Sequence, residues 1–259
     1  MSQGAWILWT LGAAAVAIST TNPVYLLLLF SIAFLVRSTC MRAGPGARSW
    51  RIFVLFAAWA VCLRTALVLF GPVTSGAVAA AALEGLRIGV LLALFGAYNS
   101  VSDPFGVLRM APRRFHEAAL AAALAMSIAP RTIAAVQRVR EAQRMRGIEV
   151  RRWRTLPALA VPVLATGMEE AVTLAESMDA RGHGRGTRSR YRVERWSAGS
   201  WIGVGAATVA AATFIVHGMG GEGGLSPSTF PLEWPEVSWA LLTALVLLAA
   251  PAVVGGSDG

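Results

Sequence analysis

The chain has 259 residues, of which 56% are hydrophobic and 14% are charged, and its mean hydropathy is +0.58. Soluble domains carry about 25% charged residues, so these values exclude an ordinary soluble protein and indicate a polytopic membrane protein. The formal net charge is +9 at pH 7. The basic residues lie between apolar runs, as the positive-inside rule predicts, which argues against nucleic acid as the partner.

All 23 basic side chains are arginines. Because a P-loop needs a lysine on the nucleotide phosphates, the chain does not hydrolyse ATP by that route. No paired carboxylates and no nucleophile motif are present, so we expect no catalytic residues and no cofactor in this chain. Cys40 and Cys62 lack a CxxC spacing and the three histidines are scattered, so we expect no metal site.

The first two apolar segments are predicted to form a tight hairpin. The first runs from Gly4 to Thr20, and the second, from Val24 to Val36, has only 13 residues. A membrane span needs about 20 residues, so one arm is expected to be incomplete or tilted. Pro23 suits the first turn of the second helix. The following loop, Arg37 to Arg51, holds four arginines and is predicted to be cytoplasmic.

Two further spans, Ile52–Phe70 and Val78–Tyr98, contain the ionisable residues Arg64, Glu84 and Arg87. Ionisable groups in hydrocarbon cost several kcal/mol unless they are paired or hydrated. Glu84 and Arg87 are three residues apart and therefore share a helix face. The alternatives stay open: a substrate or proton site, an internal ion pair, or arginines that extend to the membrane interface.

Residues 99–196 contain 17 arginines and nine carboxylates, an excess of eight positive charges. No uncharged run of about 20 residues occurs there, so little of this region need cross the membrane. Asp103 and Pro104 suit the start of a short amphipathic helix, as N-cap and first helical residue. The apolar run Ala118–Ile128 is too short to span alone, and Pro130 is predicted to break it.

The C-terminal part contains a predicted span, Ala198–Val216, and a returning segment, Val237–Val254. Between them, Gly218–Glu236 has three acidic residues and no arginine, so it is predicted to be external. We therefore predict an all-α, polytopic membrane protein with five to six hydrophobic segments and both ends cytoplasmic. It divides into N-terminal membrane helices (1–98), a cytoplasmic region of long amphipathic helices (99–196) and C-terminal membrane helices (197–259).

Two amphipathic helices are predicted in the cytoplasmic region, and each ends in Arg-Gly. The first runs from Arg131 to Arg146-Gly147, and the second from about Pro157 to Arg181-Gly182. Glycine adopts the left-handed C-cap conformation cheaply, and an arginine in the last turn favours the helix dipole. The apolar stripe of the first helix comprises Ile133, Val136, Val139, Ala142 and Met145. The heptad-like seam of the second comprises Val161, Leu164, Met168, Ala171, Ala175 and Met178.

An arginine at an exposed helix tip is suited to a bidentate contact with a partner's carboxylate or backbone oxygens. The plainer interpretation is that both are ordinary capped, basic helix ends. A single Arg-Gly pair would be no evidence for a docking point. Two of them, 35 residues apart and each closing a long amphipathic helix, favour a pair of docking points.

Ala180-Arg181-Gly182, preceded by Met178-Asp179, resembles the second Ala-Arg-Gly signature of the T component of energy-coupling factor (ECF) transporters, the EcfT/CbiQ family. Residues 142–147 resemble the first signature, with Met145 in place of the family's alanine. The similarity covers residues 78–186 well and the rest of the hydrophobic layout loosely. It extends to four further points of the chain: Asp103-Pro104, Pro130, Pro157 and Pro162.

The resemblance implies a non-catalytic membrane scaffold in the plasma membrane. Its expected partners are two cytoplasmic ABC-type ATPases, which bind the ATP, and a membrane-embedded S component, which binds a vitamin or a transition-metal ion such as cobalt or nickel. ATP-driven closure of the ATPases would move the coupling helices and reorient the S component. The ATPase-docking residues would be Met145, Arg146, Gly147, Ala180, Arg181 and Gly182, supported by Arg144 and Asp179.

A second interpretation, from the residues alone, is a stand-alone transporter or channel that uses the intramembrane charges Arg64, Glu84 and Arg87. The two interpretations differ in one requirement, because only the first needs ATPase subunits bound to the chain.

The arginine asymmetry predicts that residues 99–196 are cytoplasmic and that 218–236 are external. A cysteine introduced at Ser226 should react with an impermeant reagent added to intact cells, whereas one at Ser189 should not. The measurement is thiol labelling in a background without Cys40 and Cys62. Protection at Ser226 together with labelling at Ser189 would reverse the orientation.

Overall fold

The structure is a computed structural model, and it describes residues 1–41, 45–71, 74–147, 157–183, 196–220, 224–225 and 236–255. These ranges contain α-helices, two short 3-10 turns and no β-strand. Ser189 and Ser226 lie outside them. In chain order the helices are α1 (Gln3–Ser19), α2 (Pro23–Cys40), α3 (Pro45–Ala66), α4 (Ser75–Val101), α5 (Pro104–Arg109), α6 (His116–Met145), α7 (Pro157–Ala180), α8 (Ala198–Met219), α9 (Trp239–Leu247) and α10 (Ala250–Gly255).

Six of these helices, α2, α3, α4, α6, α7 and α8, are long and apolar enough to cross a membrane. Two shorter apolar segments, Gln3–Ser19 and Trp239–Val253, add to them. In hydrocarbon every backbone polar group must be satisfied internally, which helices achieve within one segment. The all-α, polytopic fold is therefore confirmed, and the chain is a multi-pass membrane protein.

The prediction that the second segment ends at Val36 is wrong, because α2 continues to Cys40 and reaches 18 residues. Arg37 lies in its last turn, where a cation interacts favourably with the helix dipole and can extend to the interface. The loop is therefore shorter than the predicted Arg37–Arg51, because α2 ends at Cys40 and α3 begins at Pro45. Pro23 does occupy the first turn of α2, as predicted, and the Asn22 side chain caps that turn.

The prediction that Pro130 ends the helix is also wrong, because α6 continues through this proline and is 30 residues long. Proline is tolerated in membrane helices where side chains and neighbouring groups satisfy the freed backbone. The carbonyl that loses its helix donor at Pro130 is that of Met126, four residues earlier. By length and composition α6 and α7 can both cross a membrane, which the sequence prediction for residues 99–196 did not include.

The chain divides into two compact units. Unit 1 comprises residues 1–107 and 194–259, and unit 2 comprises residues 108–193. Unit 1 is centred on α4, against which α1, α2 and α3 all pack. The large buried side chains of unit 1 belong to α1, α2, α4, α8 and α9 and include Trp9, Tyr25, Leu94, Phe214 and Leu245.

The first two helices do not pack as the predicted tight hairpin. A three-residue turn joins them, but α1 packs mainly against α8 and then against α4. The cause is a close backbone approach at Gly12, where an added Cβ would lie 2.9 Å from the carbonyl oxygen of Ala207. Small residues allow such approaches in membranes, where packing rather than hydrophobic burial drives helix association.

Hydrogen bonds from the buried side chain of Asn22, at one end of unit 1, join distant parts of the chain. The Asn22 amide donates to the backbone carbonyls of Gly224, at 2.7 Å, and Glu236, at 3.0 Å. Its Oδ1 accepts from the N–H of Val24 and so caps α2. The turn after α1 and the residues before α9 therefore lie together, which agrees with the same-side placement that the topology prediction gives them.

Replacing Asn22 with alanine should lower the thermal stability of the protein in detergent. Leaving the buried carbonyl of Gly224 unpaired costs about 1–3 kcal/mol, and the lost helix cap adds about 1 kcal/mol. Asn22→Ser retains a capping oxygen but no amide donors, so it should recover only the smaller part. Asn99→Ala is the matched control, because its exposed amide makes one bond, to Ser49 Oγ. Equal melting temperatures for Asn22→Ala and Asn99→Ala would contradict this role.

Candidate functional site

The end of α6 has the geometry of a glycine C-cap. The helix ends at Met145, Arg146 is the capping residue, and Gly147 has φ +75°. The N–H of Gly147 donates to the carbonyl of Arg144 at 3.0 Å. The left-handed conformation costs other L-residues about 1–2 kcal/mol, which explains the glycine.

The end of α7 repeats this arrangement in fuller form. Gly182 has φ +77°, and its N–H donates to the carbonyl of Asp179 at 2.8 Å. The N–H of His183 donates to the carbonyl of Met178 at 3.0 Å. These two bonds together form a Schellman motif, with Arg181 as the capping residue. The prediction of a glycine cap is thus confirmed at both helix ends.

Both Arg-Gly ends, residues 145–147 and 180–182, project from unit 2. The side chains of Arg146 and Arg181 are exposed, and Met145 is 84% exposed. A Cβ added to Gly147 or Gly182 would meet no heavy atom within 4 Å. The glycines are therefore needed for backbone conformation and not for space, and the surface around each arginine is open among the described residues. Ala180, Arg144 and Asp179 are also exposed.

A hydrogen bond between α6 and α7 places the first Arg-Gly end relative to the second. Gln143, in the last turn of α6, donates from Nε2 to the carbonyl of Ala158, at 3.1 Å. The first Arg-Gly end therefore lies beside the start of α7. The second lies at the other end of this 24-residue helix, which is about 36 Å long. Unit 2 thus presents two similar tips separated by about the length of α7.

The heptad-like seam of α7 is exposed over most of its length. Val161, Leu164 and Met168 are 65%, 64% and 70% exposed, and Val172 beside them is exposed as well. In α6 the middle of the predicted stripe, Val136 and Val139, is partly buried, while both ends are exposed. The described part of the chain does not cover the α7 seam, so this surface is available to a partner or to lipid.

The intramembrane charges pair across two helices. Arg64, in the last turn of α3, donates from Nε to Glu84 Oε2 of α4 at 3.0 Å, and its Nη2 contacts the same oxygen. The two side chains are 41% and 43% exposed on the protein surface. The predicted pairing of Glu84 with Arg87 is therefore wrong. Arg87 is partly buried and has no carboxylate partner within the described ranges.

Close packing of α3 on α4 explains why Glu84 finds a partner on the other helix. A Cβ added to Gly85, the next residue, would lie 2.8 Å from Cα of Val61. Gly89 faces Ala57 in the same way, one turn further on. The sequence Gly85-x-x-x-Gly89 is a small-residue packing motif, and its presence could have predicted this interface.

Among the described residues, no three His, Cys, Asp or Glu side chains are grouped so as to hold a metal ion. No protein-family model matches the chain, and a comparison with curated proteins found no significant match. The candidate sites therefore rest on geometry and on the residues themselves: the two Arg-Gly ends in unit 2 and the Arg64–Glu84 pair in unit 1.

Replacing either member of the Arg64–Glu84 pair should lower the yield of folded protein. An unpaired charge costs about 2.5–3.5 kcal/mol at the centre of a span and less toward its ends, where Arg64 lies, and Arg64→Gln or Glu84→Gln leaves one unpaired charge. The exchange Arg64→Glu with Glu84→Arg restores a pair and should recover most of the yield. Fluorescence-detected size exclusion after detergent extraction measures this.

Arg87→Gln is the control for that series and should change the yield less, because it breaks no ion pair. If the exchanged variant folds no better than the two single variants, the pair does not stabilise the α3–α4 contact.

Proposed function

We propose that the chain is the T component of an ECF-type ABC importer, a non-catalytic scaffold that couples two cytoplasmic ATPases to a membrane-embedded S component. The ATPases bind the ATP, and the S component binds the transported vitamin or transition-metal ion, such as cobalt or nickel. The Arg-rich part of residues 99–196 then lies in the cytoplasm, where the ATPases are.

The observation that carries this proposal is the duplicated helix end. Two successive helices finish in an exposed arginine followed by a left-handed glycine, and the tips are separated by about 36 Å, the length of α7. A pair of ATPases related by approximate two-fold symmetry offers two equivalent grooves. Two similar tips in one unit fit that requirement better than they fit a single binding site.

Each tip is suited to a charge-assisted contact. A guanidinium presents a planar fork of donors to a carboxylate or to backbone oxygens, and such bonds contribute about 1.5–3 kcal/mol. The second tip has the small Ala180 before its arginine, whereas the first has Met145, whose side chain is almost fully exposed. A small residue allows closer approach to a groove, so the contact of Arg181 is expected to be the tighter one.

The exposed seam of α7 supplies a surface for the membrane partner. Val161, Leu164 and Met168 form an apolar row along the same helix that ends in Arg181. An S component that packs on this row would be mechanically connected to an ATPase that holds the tip. Movement of the ATPases would then reach the S component through one helix.

A stand-alone transporter or channel is the alternative function. The observation in its favour is the group of Arg64, Glu84 and Arg87 within two candidate spans, where ionisable residues often mark a substrate or ion pathway. The exchanged Arg64/Glu84 variant separates the two functions. Normal folding with lost transport would favour the alternative, whereas retained transport would assign the pair a structural role.

The docking arginines are tested by Arg146→Ala, Arg181→Ala and the double substitution, coexpressed with the two ATPase subunits. Loss of one charge-assisted contact should weaken ATPase binding about 10- to 100-fold at that tip. Each single variant should still retain some ATPase through the other tip but should transport poorly, because both tips must move together. The double variant should release the ATPases, and Arg181→Ala should be the more damaging single change.

Two controls accompany these variants, with ATPase copurification and substrate uptake as the measurements. Arg138→Ala removes an exposed arginine of α6 away from either tip and should leave both unchanged. Gly182→Asn should be milder than Gly182→Ala, since asparagine tolerates the left-handed conformation. Undiminished ATPase binding and uptake in the double variant would refute the docking assignment.

A further inference from the structure

An arginine and three aromatic side chains form a cluster where α2 and α3 approach each other. Phe30, Phe34 and Arg37 are spaced four and three residues apart and lie on one face of α2. All three lie against Trp50 of α3: the two phenylalanine rings have centroids 6.5 Å from the indole, and the Arg37 guanidinium carbon is 5.2 Å from it. We refer to these four residues as the Arg37 cluster.

Trp50 fixes the position of this cluster in unit 1. It is only 7% exposed, and its ring lies so close to α4 that a Cβ on Gly96 would be 3.2 Å from Cε3. Because α2 and α3 each pack against α4, the indole lies over α4 in the space between them. Phe34 is 51% exposed, so part of the apolar surface beside the indole is open.

The charge of the cluster has no counterion in the described chain. Arg37 pairs with no carboxylate there, and its Nε is buried without a hydrogen-bond acceptor. The cluster therefore combines a positive charge that has no counterion among the described residues with an apolar surface that is partly open at Phe34.

We propose that the Arg37 cluster binds an anionic phospholipid, with the lipid phosphate at Arg37 and an acyl chain along Phe34 and Phe30. Basic pockets between membrane helices on the cytoplasmic side suit anionic headgroups, and the arginine distribution predicts this end of unit 1 to be cytoplasmic. The cation–π contact with Trp50 holds the Arg37 guanidinium in place, and its terminal N–H groups can donate to phosphate oxygens. A free phosphate would use Arg37 but not the adjoining apolar surface.

The experiment is native mass spectrometry of the full chain, purified in detergent and supplied with equimolar phosphatidylglycerol and phosphatidylcholine. The wild type should retain phosphatidylglycerol in preference. Arg37→Gln should reduce that retention about tenfold, as expected for one lost charge-assisted contact, and leave phosphatidylcholine unchanged. Arg138→Gln removes the same charge from an exposed position of α6 and should keep the preference.

Two further measurements separate the role of the charge from that of the guanidinium, and lipid binding from phosphate binding. Arg37→Lys preserves the charge but loses the planar guanidinium and its bidentate donors, so it should retain an intermediate preference and also serves if Arg37→Gln fails to fold. Inorganic phosphate at millimolar concentration should not displace the bound lipid. Equal retention of both lipids by the wild type, equal preference in Arg37→Gln and Arg138→Gln, or full displacement by phosphate would each overturn the proposal.

Discussion

Unit 1 depends on backbones that approach closely at small residues. Apolar burial provides little force between helices in lipid, so association relies on packing. Gly12 packs against Ala207, Gly85 against Val61, and Gly96 against Phe53. Each contact is so close that a Cβ on the glycine would clash with its neighbour. Contacts this close leave little freedom for rotation or sliding. They therefore set which side chains meet across each interface, including Arg64 with Glu84 and Trp50 with the aromatic face of α2.

Polar groups are kept at the two ends of unit 1. At one end, the buried Asn22 amide donates to the backbone carbonyls of Gly224 and Glu236. At the other, the arginines of α2 and α3 lie at helix termini, where they can reach the interface. The Arg64–Glu84 pair is the exception within the spans, and it is neutral as a pair. The charge distribution therefore predicts the orientation of unit 1 in the membrane, whereas the shapes of the small residues determine how its helices pack.

Local rules predicted the helix ends well, and tertiary contacts limited the rest. Pro23 and the two cap glycines obey preferences that depend only on their own backbone, so the sequence alone located them. The partner of Glu84 could not be found that way, because helix periodicity offers Arg87 and only the α3–α4 contact brings Arg64. The continuation of α6 through Pro130 likewise opposes a local rule. The cation–π contact of Arg37 with Trp50 left no sequence signal beyond two basic, aromatic helix ends.

Unit 2 has almost no core of its own. None of the described side chains of α6 is buried, and Leu159 is the one buried residue in α7. Most helical stability in proteins comes from packing of an apolar face, so a pair of helices with so little burial gains little from its own contacts. The row that includes Leu164 and Met168 is therefore left exposed by the described chain and is available to a partner or to lipid. In the proposed importer, a membrane partner on this row would stabilise α7 and make it stiff. Because Arg181 terminates the same helix, a force on the tip would act on that partner directly, so stability of α7 and coupling would have the same physical origin.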